Sequence, residues 1–290
     1  MPGIIGVQNT PWGNIGKFRN QGIDATLEYR HMFGDFQVAL RSNYTFARNN
    51  FVDNDEPDYI YKYQNRKGKR LNQPFGLVAE GLFTSEEEIA SSPEQTFGTV
   101  RVGDIKYKDV NGDGVISPED EVAIGHPDIP EIVYGFGVSL AYKGIDCSVF
   151  FQGAANMDFM LGGDGFFPFL RGEEQGNVTY WATDRWTLEN PRQDALFPRL
   201  SDGDNPNNYR SSTWWQRSAN YLRLKTVEVG YTFPKTWTSK AKISTLRIYL
   251  SGLNLCTFSK FKYWDPELGN GNGSAYPIQR NVSLGVNLNF

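Results

Sequence analysis

Cysteine and histidine are scarce, two of each in 290 residues. Cys147 and Cys256 both fall within segments that alternate apolar and polar residues, so isolated thiols are expected rather than a disulfide framework. His31 and His126 stand at no spacing to a cysteine or carboxylate set that would make a transition-metal site or a triad, and no catalytic constellation emerges elsewhere. The chain is therefore not expected to be an enzyme. Long apolar runs are missing as well; nothing approaches the ~18 to 20 residues that a membrane helix needs, which excludes a helical membrane protein. Basic charge is not in excess, since 29 Lys and Arg face 33 Asp and Glu for a net charge of -4. Without a basic patch, nucleic acid is not an expected partner. No secretory leader is expected within these first residues, since Met1-Pro2-Gly3-Ile4-Ile5-Gly6 offers no charged region, apolar stretch or cleavage site.

Aromatic residues, by contrast, make up 14% of the chain and glycines number 30. That mix suits strands joined by turns. A mean hydropathy of -0.49 does not argue against a membrane barrel, in which only alternate residues of each strand meet lipid.

The last residues, Ile278 to Phe290, show the pattern most plainly: Val282, Leu284, Val286, Leu288 and Phe290 on one face, Asn281, Ser283, Gly285, Asn287 and Asn289 on the other. The same two-residue period predicts six further strands, over 22–30, 36–47, 132–142, 145–153, 221–233 and 246–258. In the first, Ile23, Ala25, Leu27 and Tyr29 oppose Asp24, Thr26 and Glu28. A tight turn at His31-Met32-Phe33-Gly34 joins it to the second, and Lys143-Gly144 joins the third to the fourth. Apolar parity slips between Leu224 and Val227 and again near Gly252, as β-bulges would produce.

Connections between these strands alternate short and long. If the short ones are periplasmic and the long ones extracellular, every strand has a consistent direction. The expected fold is thus an all-β, antiparallel transmembrane β-barrel with long extracellular loops. A β-sandwich is the alternative, but its strands are shorter and its loops do not sort by length. Seven strands is an odd number, whereas bacterial single-chain barrels have even numbers and close on themselves. The expectation is that residues 1–290 form the C-terminal portion of a larger barrel, with signal peptide and plug absent, and that residues 49–131 make a long extracellular loop region.

Within that region, residues 109–120 read Asp-Val-Asn-Gly-Asp-Gly-Val-Ile-Ser-Pro-Glu-Asp. Asp109, Asn111 and Asp113 at positions one, three and five, the Val115 carbonyl at seven, Ser117 at nine and Asp120 at twelve are the donors that a hard cation requires. A structural calcium ion is expected. Position twelve is Asp rather than Glu, and such loops resemble those of dockerin and other extracellular calcium modules; a metal-free turn that satisfies its own backbone is the alternative.

Several ordered segments resemble one known family. Gly103-Asp104-Ile105-Lys106-Tyr107-Lys108-Asp109-Val110-Asn111-Gly112-Asp113-Gly114, Ile124-Gly125, Pro130, Tyr134-Gly135-Phe136, Tyr142-Lys143-Gly144 and Phe150-Phe151-Gln152-Gly153 are similar to the SusC/RagA group of TonB-dependent outer-membrane transporters. Asn14-Ile15-Gly16, Asn20-Gln21-Gly22-Ile23, Tyr221-Leu222-Arg223-Leu224-Lys225, Gly230-Tyr231, Pro234 and the closing Asn289-Phe290 agree in order. The resemblance implies a 22-stranded barrel in the outer membrane of a Gram-negative, Bacteroidetes-like bacterium. It also implies a plug, a TonB complex engaged through the missing N-terminal part, a SusD-like surface lipoprotein, and import of oligosaccharides or peptides. Phe290 would belong to the assembly signal read by the barrel-assembly machinery, or would simply be the last lipid-facing aromatic.

In the second long connection, Trp181, Trp186, Trp214 and Trp215 could stack on sugar rings or serve as girdle and loop packing. Trp181, Trp214 and Trp215 are taken forward as candidate substrate contacts. The rival function is a soluble, secreted, calcium-stabilised carbohydrate-binding module or glycosidase, whose carboxylates would have to come from Glu86-Glu87-Glu88 or Glu173-Glu174. Adjacent like charges of this kind usually form a solvated face.

Overall fold

A computed structural model describes residues 16–163, 165–169, 178–201, 205–269 and 272–290. Seven long strands run Lys17–Phe33 (β1), Phe36–Asp53 (β2), Ile132–Tyr142 (β3), Ile145–Ala155 (β4), Tyr221–Thr232 (β5), Thr245–Ser259 (β6) and Asn281–Asn289 (β7). They form one antiparallel sheet in chain order. The first two are longer than the periodicity predicts, and β2 continues to Asp53, so the first long connection starts at residue 54 rather than 49.

The first turn also differs from the expectation. His31, Met32 and Phe33 continue β1 opposite Val38, Gln37 and Phe36, which leaves Gly34 and Asp35 as the turn; Gly34 has a φ of 61°, a backbone that glycine adopts without strain. The second turn is Lys143-Gly144, with φ values of 45° and 87°, the doubly left-handed pair that matches strand twist in a two-residue hairpin.

The parity slip in β5 is a bulge at Lys225. Phe150 pairs with Thr226 while Phe151 pairs with Leu224, so one residue of β5 has no opposite number and the apolar positions change parity. On the other side Leu224 pairs with Cys256 and Thr226 with Leu253. Here β6 carries Asn254 at a φ of 53°, which places the second irregularity two residues beyond Gly252.

Most of the buried apolar core lies outside the sheet. Leu77, Ile105, Tyr107, Phe159, Phe197 and Trp215 are almost fully buried, and all belong to the long connections 54–131 and 156–220. Phe261 of the connection after β6 joins the same cluster. Short strand pairs at 79–82 with 105–107 and at 158–160 with 216–218 stiffen this layer. The long loops therefore fold together as one packed body above the strands.

Candidate functional site

Register shows why the two faces of the sheet differ. One continuous row across the strands reads His31 on β1 and then Val38, Leu140, Cys147, Val229, Leu250 and Leu284. The adjacent row on the opposite face reads Arg30, Ala39, Ser139, Ser148, Glu228, Ser251 and Ser283. Alternation within each strand is thus held in phase over all seven. The apolar face carries no cover, with Leu27, Val282 and Leu284 each more than two-thirds exposed.

The polar face is built for close approach. Small side chains dominate the serine row, and glycines beside it let large polar groups lie flat. A Cβ at Gly230 would stand 2.5 Å from Nη2 of Arg247. With that space open, the Arg247 guanidinium spans three strands, its Nε 3.0 Å from Asp146 Oδ1 and its Nη2 2.6 Å from Glu228 Oε1. Phe150 likewise lies across Gly135 and Gly137, and Tyr249 across Gly285.

At the ends of β4 and β5 the loop body leans over this polar face. Ala154 and Tyr221 pair with each other, share the parity of Ser148 and Glu228 apart from the bulge, and are both buried in the loop core. Arg223, on the same face, is 1% exposed. It forms ion pairs with Asp265 and Glu267, and Lys225 reaches Glu267 at 3.1 Å. These pairs draw residues 265–268 in over the wall.

Two polar devices hold the loop body together. Asp104, fully buried, accepts from the backbone N–H of Arg101 at 2.9 Å, from Asn208 Nδ2 at 2.9 Å and from Arg199 Nη2 at 3.1 Å. Gln95 extends this network by accepting from the Tyr107 N–H and donating to Asn207 Oδ1, at 2.7 and 2.8 Å. These bonds tie together segments about a hundred residues apart, although Arg199 Nε is buried without a hydrogen-bond partner among the described residues. The Tyr107 hydroxyl donates to the Asn207 carbonyl at 2.8 Å, and burial pushes its pKa up. The second device is Glu131, just before β3. It receives Arg48 Nε at 2.8 Å, Asn156 Nδ2 at 3.2 Å and the guanidinium of Arg70. Burial alone would raise its carboxyl; the hydrogen bonds and charges of Arg48 and Arg70 outweigh that and hold it down to about 2.

The candidate tryptophans do not form one surface. Trp215 is 1% exposed, donates from Nε1 to the Asn208 carbonyl at 2.7 Å and packs edge-on to Phe167 at 4.8 Å. It is a core residue and is removed from the substrate-contact set. Trp186, 4% exposed, is also core. Trp214 is half-buried and donates to the Leu196 carbonyl at 3.1 Å. Trp181 is half-buried among Phe166, Tyr263 and Trp264. Sequence reasoning missed Tyr263 and Trp264, which follow the sixth strand at no regular spacing. Glu86, Glu87 and Glu88 sit at the start of a short helix, Glu86–Ser91, capped by Ser85; Glu173 and Glu174 lie outside the described residues. Phe290 is 87% exposed, immediately after β7.

The 109–120 loop folds as a set of side-chain-to-backbone turns. Asp109 accepts from the N–H groups of Gly112 at 2.6 Å and Gly114 at 2.8 Å, Asn111 Oδ1 from that of Asp113, and Asp113 Oδ1 from that of Val115. Asp109, Asn111 and Asp113 are thus brought together. Asp120 is fully buried and turned onto the N–H groups of Val110 and Ser117, each at 2.8 Å, while Ser117 Oγ accepts from Glu119. Among the described residues no group of three or more His, Cys, Asp or Glu converges as a metal would require. The oxygens at positions one, three and five serve backbone N–H groups, and that at twelve serves as a cap. Tyr61 and Tyr63 stack on each other at 5.4 Å and join the loop, Tyr61 Oη accepting from Asn111 Nδ2 and Tyr63 Oη donating to the Glu119 carbonyl.

No family model matches the chain. TonB-dependent receptor P26 of Formosa agariphila is 34% identical over 313 residues, covering 97% of this chain and 30% of that protein. TonB-dependent receptor P3 of the same organism is 26% identical over 96% of this chain and 29% of its own length. Among solved structures, the RagAB peptide transporter matches with a TM-score of 0.73 at 22% identity, over 99% of this chain and 31% of that one. The RagAB peptide importer in the "open-open" state gives the same TM-score at 21% identity. At that level of identity the structures show the shared fold. The chain spans about 30% of the length of the curated relatives it matches.

Proposed function

The chain belongs to the TonB-dependent receptor family, and from that premise we propose that it is the C-terminal barrel segment of a SusC-like outer-membrane importer of oligosaccharides or peptides. In this reading its seven strands are part of a 22-stranded barrel in the outer membrane. The apolar rows meet lipid, the serine row lines the lumen, and the loop body over the polar face borders the extracellular entrance. A SusD-like surface lipoprotein would cover that entrance, the TonB complex would act through a preceding plug, and Phe290 would serve the barrel-assembly machinery.

The observation that carries the reading is the phase relation of the rows, apolar on one face and polar on the other across every strand. A charge placed on the lipid face at mid-membrane costs about 2 to 4 kcal/mol, whereas lumen substitutions are tolerated. Val138→Arg should therefore sharply reduce the heat-modifiable folded species recovered from lipid vesicles, and its neighbour Ser139→Arg should leave most of it. Equal yields from the two variants would sink the membrane orientation. A soluble module would show no such asymmetry of depth.

A calcium ion at 109–120 belongs to this proposal, supported by the adjacency of Asp109, Asn111 and Asp113 and held by them with the Val115 carbonyl. Its role would be to neutralise the acidic turn beneath Tyr61 and Tyr63. Those tyrosines supply the test, because a lanthanide bound beside them is excited through their rings. Terbium luminescence should rise on excitation of tyrosine, fall on competition with calcium, and be lost in Asp109→Asn. No sensitised emission would leave the loop as a metal-free turn.

A further inference from the structure

At the end of the sheet away from the loop body, the apolar face closes on a row that reads Phe36, Tyr142, Ile145, Tyr231, Ile248 and Val286. Half of it is aromatic. Phe233, directly after β5, carries the aromatic ladder a step further. Its N–H donates to the Leu246 carbonyl at 2.9 Å, and its ring stands 4.9 Å from that of Tyr231 and 6.2 Å from that of Trp237. Trp237 is 66% exposed, yet the connection that carries it is folded. Lys235–Thr238 makes one helical turn and Ser239–Ala241 a tighter one. The Ile243 N–H donates to the Thr238 carbonyl at 3.2 Å and the Ser244 N–H to that of Asn289 at 2.7 Å, so the frame itself holds the indole out.

Beyond this aromatic step the charge is of one sign. Lys235, Lys240 and Lys242 are exposed, residues 234–244 contain no Asp or Glu, and none of the three lysines has an ion pair among the described residues. Lys143, in the turn between β3 and β4, stands with Nζ 5.2 Å from the centre of the Tyr142 ring and adds a fourth cation above the same row. Asp146 and Glu228 lie on the polar face, where Arg247 holds both, and Asp35 sits in the first turn, three strands from β5. A carboxylate at Phe290 would leave this rim positive all the same. Apolar row, aromatic ring and cation is the order of groups that suits passage from acyl chains to headgroups.

We propose that the 233–244 connection is an interfacial anchor, with Trp237 seated at the acyl-chain boundary and Lys235, Lys240 and Lys242 gathering anionic phospholipid headgroups around it. The proposal rests on the importer reading, in which the apolar rows meet lipid, and adds to it a lipid preference at one place on the periplasmic rim.

Quenching by brominated lipids tests it on the whole chain inserted in vesicles, with the heat-modifiable fraction isolated first. The signal of Trp237 is the difference between the wild type and Trp237→Phe. Two vesicle sets share one composition, mostly phosphatidylcholine with a minor part of phosphatidylglycerol; bromine is carried by the phosphatidylglycerol in one and by an equal mole fraction of the phosphatidylcholine in the other. Each lysine near an anionic surface favours it about fivefold, so brominated phosphatidylglycerol should quench Trp237 as though enriched about fivefold over its bulk fraction. The preference should shrink at high salt and vanish when Lys235→Gln, Lys240→Gln and Lys242→Gln are combined, while quenching by brominated phosphatidylcholine persists. Equal quenching by the two lipids in the wild type, or a preference unchanged in the combined variant, would overturn the proposal and leave the importer reading standing. So would an inserted chain whose Trp237 neither lipid quenches, since the connection would then face protein. A chain that inserts in neither vesicle set would take the membrane orientation and the anchor down together.

Discussion

Trp215→Ala should unfold the loop body, not merely weaken any solute binding there. The indole is 1% exposed, and removing so large a buried side chain costs about 3 to 5 kcal/mol. Its Nε1 donates to the Asn208 carbonyl, and Asn208 in turn accepts from the Ile105 N–H and donates to Asp104. Loss of the ring thus loosens the buried network as well as the packing against Phe166, Phe167 and Phe197. Limited proteolysis within 156–220 on the folded chain reads the effect directly, and cleavage should accelerate strongly. Trp215→Phe should be far milder, at about 1 to 3 kcal/mol, since it keeps apolar contact and leaves one buried carbonyl without its donor. If instead Trp215→Ala kept its protease resistance while solute affinity dropped, the ring would be a binding platform and its core role would be wrong.

That contrast also shows where sequence reasoning stops. Strand period is local, so Ile132–Tyr142 is legible to the residue, and the bulge at Lys225 betrays itself through the parity of Leu224 and Val227. A turn is harder, because His31, Met32 and Phe33 keep alternating right up to Gly34 and only the partner strand decides where pairing ends. The loop core leaves almost no sequence signal. Its strand pieces are two to four residues long, and its decisive pairs, such as Gln95 with Asn207 or Asp104 with Asn208, lie about a hundred positions apart. Trp215 cannot be told from Trp181 in the sequence, since both are aromatic residues in a polar connection. Burial separates them, and burial comes from residues in three different loops.

Acid should release the same loop body through Glu131. Folded, its carboxyl is held down to about 2 against an ordinary value of 4.5. A group whose pKa falls on folding stabilises above its unfolded value and loses that contribution as pH drops toward the folded one. The window is therefore from about 4.5 down to about 2, and the contribution present at neutral pH is about 2 to 3 kcal/mol, lowered from the full shift because Arg48 is partly open to solvent. Glu131 touches three parts of the chain: Arg48 of β2, Arg70 of the first long connection and Asn156 just beyond β4. Its protonation would weaken all three where the connection returns to β3. Glu131→Ala should therefore destabilise by about 3 kcal/mol at neutral pH, because two arginines lose their shared anion. Arg48→Ala should cost less, since Arg70 still serves the carboxylate. Tryptophan fluorescence during denaturant unfolding at stepped pH reads both expectations. Wild-type stability should decline between pH 4.5 and 2 more steeply than that of Glu131→Ala, which lacks the titrating group. Parallel declines would mean that other carboxylates govern the acid response and that Glu131 is not the clasp between the loops and the sheet.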